Sequence, residues 1–197
     1  PRVLISTACP VVVTFLGKYY PQYAACLSPI VSPVLAHGQL LRETYGPDIG
    51  IVFFSPCIAK KGEADANPHL LDVALTFEDL RRWFMSEPFS FDTAERGEDD
   101  VFVPSSAQEG ALYPIDGGMV AGVKAGCSVM EAECMSFSGI RNIHKALAGL
   151  GEMRLTHPLF LELLACEGGC VNGPKANQRN ATAWKRYQVI HYASYPQ

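Results

Sequence analysis

The sequence predicts an α/β fold of two lobes, with mainly parallel sheets flanked by helices. Short apolar runs alternate with helix-like patterns along the chain, which is typical of parallel strands joined by helices. The run at 49–54 is continuously apolar, as strands buried on both faces are. An acidic, irregular stretch at 86–100 interrupts the alternation, and we interpret it as the junction between the lobes.

Several short apolar runs are predicted to be strands, and a weaker candidate lies at 101–104. Cysteines follow three of these runs closely. In parallel sheets, ligand sites gather at the carboxyl ends of the strands, so one shared site is consistent with this order. The predicted strands are 2–6, 49–54, 70–75, 134–137 and 159–165, and the cysteines are Cys9, Cys57 and Cys166.

Three helices are predicted from periodicity and end signals. The first covers 29–45 and is closed by Gly46 and Pro47. The second starts at Thr76, which we expect to be an N-cap because Asp79 follows three residues later. The third starts at Gly139 and carries apolar residues on one face. The glycine-rich segment 110–126 predicts no single element, and the pattern fades after residue 174.

Composition excludes several classes of protein. The chain has 197 residues, 48% apolar and 18% charged, which suits one compact domain or two small lobes. Its net charge is −4 with scattered basic residues, so no nucleic-acid partner is expected. No apolar run approaches the roughly 20 residues of a membrane span, and no signal peptide is visible. We expect a cytoplasmic protein and interpret the start at Pro1 as that of a piece from a longer chain.

The chain contains seven cysteines, an odd number in a chain too long to need disulfide staples. Reduced cysteines that act as ligands are the better interpretation. Cys26, Cys127 and Cys134 lack motif context and are expected to be small buried hydrophobes.

The remaining cysteines have the chemistry of a cluster site. Four thiolates are what a cubane [4Fe–4S] cluster needs, and Cys9, Cys57, Cys166 and Cys170 supply four. Gly168 and Gly169 would let the backbone approach an inorganic core and point N–H groups at its sulfides. The alternative for this last element is a glycine turn that carries two ordinary cysteines.

Lys60 and Glu63 follow Cys57 at spacings that suit a metal site. A lysine three residues from a ligand can set its ammonium against a negatively charged ligand of the metal, and a carboxylate six residues on can pass protons. The alternative is a surface ion pair of little energetic value.

Taken together, the three cysteine elements resemble the signature of the [FeFe]-hydrogenase large-subunit catalytic domain. That family carries Thr-Ser-Cys-Cys-Pro, Met-Pro-Cys-x-x-Lys-x-x-Glu and Glu-x-Met-x-Cys-x-x-x-Cys elements. Weaker similarity at 27–29, 116–119 and 139–142 extends the likeness to about residue 174. The corresponding elements here are Ser6-Thr7-Ala8-Cys9-Pro10, Ser55-Pro56-Cys57 through Lys60 to Glu63, and Glu162 through Cys166 to Cys170.

The resemblance implies an H-cluster domain at 1–174, with the cluster in the cleft between two lobes joined near 86–100. It implies that the four cysteines hold the cubane and that Cys170 bridges to a diiron subcluster carrying CO, cyanide and a dithiolate. Lys60 matches the lysine that contacts a cyanide, and Glu63 and Ser28 match members of a proton path. Residues 175–197 are then an extension or a linker to a further module.

Departures from the family pattern bear on activity. The first cysteine of the Cys-Cys pair, which relays protons, is replaced by Ala8, and a methyl group neither donates nor accepts a proton. Ser55 and Leu164 replace the methionines of the other two elements, and the tail after Cys170 lacks the family's glycine-rich ending. These changes resemble the sensory branch of the family.

The leading hypothesis is therefore an H-cluster-binding domain that senses H₂ or redox state in signal transduction in an anaerobe, with weak or no turnover. One alternative is an active hydrogenase with an altered proton route, and another is a plain [4Fe–4S] module for electron transfer or scaffolding. The resemblance also implies partners: a PAS-type or other signalling module, a ferredoxin-like electron donor and maturation machinery.

Overall fold

The computed structural model describes residues 2–88, 97, 101–126 and 133–194. Short 3-10 turns at Pro21–Cys26, Gln108–Leu112, Leu150–Glu152 and Cys170–Asn172 connect the main elements. Those elements are β1 (Val3–Ile5), α1 (Pro10–Tyr19), α2 (Pro33–Tyr45), β2 (Val52–Ser55), α3 (Ala59–Ala66), β3 (Val73–Thr76), α4 (Phe77–Ser86), α5 (Gly118–Gly126), β4 (Glu133–Ser138), α6 (Ile140–Leu147), β5 (Leu159–Leu164) and α7 (Thr182–Ser194).

In the described part of the chain, the strands form two parallel sheets. The first has the order β1-β5-β4, with Val3 opposite Leu159 on one side and Ser138 opposite Leu164 on the other. The second consists of β2 and β3, with Val52 opposite Val73. All pairs are parallel, so the carboxyl ends of the strands in each sheet lie at one edge.

Each sheet has its own apolar core, and we name the two parts after them. The large lobe packs α1 and α6 against β1, β5 and β4, with buried residues such as Leu16, Ile143 and Leu163. The small lobe packs around β2 and β3 with a smaller set that includes Leu71 and Ala74. The α/β fold class is thus confirmed, with parallel sheets flanked by helices.

The five main strand predictions are confirmed to within a few residues. The predicted cap is also present, because Thr76 and Asp79 form a reciprocal capping box at the start of α4. The helix predicted from residue 29 instead begins at Pro33. Ser32 before it is extended, with a φ of −63° and a ψ of 156°, because the residue preceding a proline is disfavoured in the helical region.

Other predictions were wrong or incomplete. Residues 101–104 form no strand, although Val101, Phe102 and Val103 are apolar; their side chains are exposed and no described strand pairs with them. Helices α1, α3 and α7 were not predicted. Cys127 and most of the predicted junction at 86–100 lie outside the described residues.

Within the described part of the chain, no helix has both the length and the apolar character needed to cross a membrane.

Candidate metal centre

Cys9 lies where β1 ends and α1 begins. The N–H of Ser6 donates to the carbonyl of Leu161 at 2.9 Å, which continues the pairing of β1 with β5 to the edge of the sheet. Cys9 is then the N-cap residue of α1, with Pro10 in the first turn, where its missing N–H costs nothing. The Cys9 side chain is buried in the core of the large lobe.

Cys57 occupies the equivalent place in the small lobe, two residues after β2. Its backbone N–H donates to the hydroxyl of Ser55 at 3.2 Å, which shapes the short turn into α3. Ser55, which replaces the family methionine, is buried. Its hydroxyl donates to the carbonyl of Cys57 and accepts the N–H of the same residue, so both of its hydrogen bonds stay within this turn. Cys57 itself is half-buried.

The Cys166–Cys170 loop, defined as residues 166–172, follows β5. The N–H of Gly169 donates to the carbonyl of Cys166 at 3.0 Å and closes a tight turn. Gly168 and Gly169 have φ values of 79° and 102°, a region that side chains other than glycine rarely adopt. A Cβ on Gly169 would lie 2.6 Å from the carbonyl oxygen of Pro114, so the loop also needs glycine for its close approach to the neighbouring backbone.

The expected role of these glycine N–H groups was wrong. Gly168 donates to the hydroxyl of Ser138 at 3.0 Å, and Gly169 donates to Cys166. Both N–H groups are therefore used inside the protein and do not point at the sulfides of a cluster.

The four motif cysteines lie close enough for their charges to interact. Burial, and then negative charge on Cys9, Cys166 and Cys57, raises the pKa of the Cys170 thiol to about 12, while Lys60 opposes them. Burial, followed by Cys57 and Cys9, likewise raises the pKa of Cys166. Three separate loops thus bring their thiols to one place.

Backbone contacts hold the two lobes together at this place. The N–H of Lys175 donates to the carbonyl of Pro56 at 3.0 Å. Gly173 lies so close to the same carbonyl that a Cβ there would be 2.8 Å from it. Because Pro56 precedes Cys57 and Gly173 follows Cys170, these contacts fix one ligand loop against the other.

Lys60 crosses between the lobes in the same region. Its Nζ donates to Glu63 Oε2 at 2.5 Å, to Ser32 Oγ at 3.2 Å and to the carbonyl of Ala8 at 3.4 Å. The Lys60 and Glu63 side chains are each 11% exposed, so this is a buried ion pair and not a surface one. An ammonium has three N–H donors, and all three are used here.

Ser28 lies elsewhere in the network. Its hydroxyl accepts the N–H of Ile30, two residues along, and its own N–H donates to the carbonyl of Ile5. The described hydrogen bonds connect it to neither Lys60 nor Glu63. Ser32 is the serine that contacts Lys60, and nothing in its local sequence singled it out.

Ala8 presents only its backbone to this network. Its N–H donates to Ser6 Oγ at 3.2 Å and its carbonyl accepts from Lys60. The methyl group beside Cys9 offers no proton donor or acceptor.

The donor set suits a cubane. Four cysteine thiolates are the usual ligands of a [4Fe–4S] cluster, which supplies one-electron redox chemistry when bound. Among the described residues, no three candidate side chains are arranged to hold a single metal ion. A cubane does not need such a triplet, because each of its four thiolates binds a different iron.

Cys26 was expected to be buried but is only half-buried, at the margin of the large-lobe core, and Cys134 is half-buried on β4. The carboxylate of Glu162 is buried within β5 and was not anticipated as a functional group. Its Oε2 accepts the N–H of Val120 at 3.0 Å, whereas Oε1 has no hydrogen-bond partner among the residues that the structure describes. Burial, and then the charge on Asp116, raises the pKa of Glu162.

Fold and site together define an α/β domain in which three cysteine-bearing loops converge. The sequence model of the family described as "Iron only hydrogenase large subunit, C-terminal domain" matches residues 1–174. The chain therefore belongs to that family. The match also covers the weaker similarities at 27–29, 116–119 and 139–142.

Two relatives show the extent of the likeness. The chain is 25% identical to iron hydrogenase 1 of Clostridium pasteurianum, over 88% of this chain and 38% of the relative. It is 24% identical to the periplasmic [Fe] hydrogenase large subunit of Nitratidesulfovibrio vulgaris, over 88% of this chain and 51% of the relative. The chain thus spans about two fifths to one half of these relatives.

Solved structures share the fold. A structure concerned with oxygen inactivation of [FeFe]-hydrogenase superposes with a TM-score of 0.71 at 21% identity, over 96% of this chain and 65% of that one. An apo [FeFe]-hydrogenase variant from Chlamydomonas reinhardtii gives 0.70 at 20% identity, over 100% of this chain and 66% of that one.

Proposed function

We propose that this domain binds an H-cluster-type iron–sulfur centre and senses H₂ or redox state, with weak or no turnover. Cys9, Cys57, Cys166 and Cys170 would hold the cubane, and Cys170 would also bridge to a diiron subcluster. The observation that carries the proposal is the approach of the three cysteine loops: the N–H of Lys175 donates to the carbonyl of Pro56 beside Cys57, and Lys60 reaches the carbonyl of Ala8 beside Cys9.

The sensory part of the proposal rests on the environment of Ala8. In an active enzyme a proton must move next to the reacting atoms, through a side chain or an ordered water. The methyl group of Ala8 offers no such path, and its backbone N–H and carbonyl are already bonded. A domain that binds H₂ without rapid proton delivery would turn it over slowly, which suits sensing better than catalysis.

Infrared spectroscopy on protein matured together with hydrogenase maturation factors tests the cofactor. We expect bands of CO and cyanide in addition to the absorbance of a [4Fe–4S] cluster. A matured sample that contains iron and sulfide but has no such bands would reject the diiron centre.

Hydrogen evolution by Ala8→Cys tests the sensory assignment. We expect turnover to rise at least tenfold over the matured parent, because a thiol restores a proton carrier beside Cys9. Ala24→Cys adds a thiol at an exposed position and is the matched control. A parent chain as active as Ala8→Cys would reject the idea that Ala8 limits turnover.

An active hydrogenase with an altered proton route is a second candidate, and one observation favours it. A groove of about 800 Å³ between α1 and α3 is lined by Thr7, Ser32 and Glu63 among others. Protons reaching Lys60 could leave through Glu63 to this groove. In that case Glu63→Gln would lower turnover of the matured parent, while Asp65→Asn, an exposed acid on the same helix, would not.

A cubane-only module for electron transfer or scaffolding is a third candidate. All three donors of Lys60 are used inside the protein, so a contact with a cyanide would require one of its present bonds to break. The infrared experiment above separates this candidate from the other two.

Further proposals concern the domain boundary, the partners and the location of the protein. We propose the domain boundary near residue 174, a following PAS-type or other signalling module, a ferredoxin-like electron donor and a cytoplasmic location in an anaerobe. The family match ends at 174, which supports the boundary. Loss of CO and cyanide bands when the maturation factors are omitted would test the dependence on that machinery.

A further inference from the structure

A chain of hydrogen bonds runs from the Cys166–Cys170 loop to a carboxylate behind it. Ser138, the last residue of β4, accepts the N–H of Gly168 at 3.0 Å. The same hydroxyl donates to Asp116 Oδ2 at 3.0 Å. A hydroxyl has one proton to donate, so its donation to Asp116 leaves lone pairs directed at Gly168.

The other carboxylate oxygen of Asp116 is used in the same way. Oδ1 accepts the hydroxyl proton of Ser136, and Ser136 Oγ accepts the N–H of Gly117 at 3.1 Å. Asp116 therefore orients two serine hydroxyls that project from one strand, and each hydroxyl in turn holds a backbone N–H. Hydrogen bonds to an ionised carboxylate are stronger than those between neutral groups, which makes this arrangement rigid.

Gly168 lies between the two cysteines of the loop, so its position constrains both. A second contact holds the far end of the loop, because Val171 donates to the carbonyl of Pro114 at 3.1 Å. The Pro114–Asp116 backbone also fills the space beside Gly169. The loop that carries half of the candidate ligands is thus supported from behind by Asp116 and its neighbours.

We propose that Asp116 is a positioning residue for the cluster and sets the place of Cys166 and Cys170 through Ser138 and Gly168. This inference rests on the proposed function, in which those cysteines are ligands. Without the carboxylate, the Ser138 hydroxyl is free to rotate, and Gly168 loses an acceptor of fixed direction. Groups that orient metal ligands in this indirect way typically contribute 10–100-fold to metal affinity.

Asp116 could instead serve only the stability of the large lobe, and its other contacts help to separate the two roles. Arg186 on α7 donates to the backbone carbonyl of Asp116 at 3.2 Å, not to its carboxylate. That contact survives removal of the side chain. Asp116→Ala therefore removes the hydroxyl network and leaves the attachment of α7 in place.

The experiment measures cluster loss to an iron chelator from chemically reconstituted full chain. In Asp116→Ala we expect loss to be about 10-fold or more faster than in the parent, with a changed electron paramagnetic resonance signal of the reduced cubane. Asp116→Asn keeps one carbonyl oxygen as an acceptor and should lie closer to the parent. Ser138→Ala should resemble Asp116→Ala, because both break the link to Gly168.

Arg42→Ala is the matched control for stability alone. It removes hydrogen bonds to the carbonyl of Ile49 and to Asp72 just before β2 and β3, at the edge of the small sheet opposite Cys57. We expect it to lower the melting temperature and leave the rate of cluster loss and the resonance signal unchanged. An Asp116→Ala protein that behaves as this control does would overturn the proposal.

Hydrogen exchange of the apo protein gives a second readout that needs no cluster. Peptides spanning 166–172 should exchange faster in Asp116→Ala and Ser138→Ala than in the parent, and peptides from α4 should not. Unchanged exchange in the loop would overturn the positioning role even if the parent bound a cluster. A parent that takes up no cluster would reject the proposed function, and exchange would still decide whether Asp116 positions the loop.

Discussion

The two lobes position their candidate metal ligands by different physical means. In the large lobe, five of the six residues of β5 are buried, and the ligand loop extends from a strand surrounded by apolar side chains. In the small lobe only the last of the four residues of β2 is buried, and the core is smaller. Polar contacts such as the Thr76–Asp79 capping box and the Lys60–Glu63 pair supplement that core.

This difference predicts how strongly a mutation in each lobe lowers the stability of the protein and whether it disturbs the Cys166–Cys170 loop. The stabilisation from buried apolar surface grows with the area buried, so the large lobe holds its three candidate cysteines through many small contributions. The small lobe holds Cys57 through a few directional contacts. Changes in the large lobe should therefore cost more stability and reach the Cys166–Cys170 loop, while changes in the small lobe should cost less and leave that loop intact.

The largest expected effect comes from Leu163→Ala in β5. Leu163 is 1% exposed, and truncating a buried leucine costs about 2–5 kcal/mol through lost burial and the cavity left behind. Chemical denaturation measures it. Val73→Ala on β3 is the control, because Val73 is 38% exposed and should lose far less. Equal losses at the two positions would contradict the contrast between the lobes.

Gly169→Ala should follow, with an expected loss of about 2 kcal/mol and slower cluster reconstitution. A methyl group there meets the Pro114 carbonyl, and the φ of 102° is strained for alanine. Gly62→Ala in α3 is the control, because a Cβ at Gly62 meets nothing within 4 Å. A Gly169→Ala protein with parental stability would show that the loop is held less tightly than its contacts indicate.

Thr76→Ala tests the small lobe with a smaller effect. Loss of an N-cap side chain costs about 1 kcal/mol, and here it also ends the reciprocal bond with Asp79. Thr44→Ala on the exposed surface of α2 should cost less than half as much. Thermal unfolding compares the two variants. A cost for Thr76→Ala above that of Leu163→Ala would reverse the proposed ranking of the lobes.

The smallest effect is a gain from Glu162→Gln, and it depends on pH. Burial raises the pKa of Glu162 above its ordinary value, so the folded protein favours the protonated form. The parent is therefore penalised as pH rises above the unfolded-state pKa, and the penalty is absent in acid.

The Gln variant should gain about 0.5–1 kcal/mol at neutral pH and little near pH 4. Denaturation at several pH values measures this, with the exposed Glu133→Gln as control. A gain that is larger in acid than at neutral pH would contradict the assigned direction of the shift.

Much of the fold could be predicted because the strands are short apolar runs with clear ends. Helix α1 was missed because Val11-Val12-Val13 resembles a strand locally, and only the burial of Val12 and Leu16 in the large lobe decides for a helix. Helix α3 has few apolar residues, and its contacts with the rest of the fold sustain it.

The candidate ligands could be proposed from the sequence because the cysteines stand in short local motifs with characteristic neighbours and spacing. The supporting residues could not. Ser32 meets Lys60 across 28 residues, and Ser138 meets Gly168 across 30, so neither pairing leaves a local pattern. Gly168 and Gly169 were recognised as special, but their close packing against Pro114–Asp116 depends on a loop that no motif connected to them.

Iron and acid-labile sulfide analysis of the reconstituted chain tests the central claim most directly. The account predicts about four iron and four sulfide per chain in the parent and in Cys26→Ser, since Cys26 lies outside the ligand set. It predicts loss or strong lability of the cluster in Cys9→Ser, Cys57→Ser, Cys166→Ser and Cys170→Ser. A parent without iron, or a Cys170→Ser protein that keeps a parental cluster, would contradict the assignment of these four cysteines to one centre.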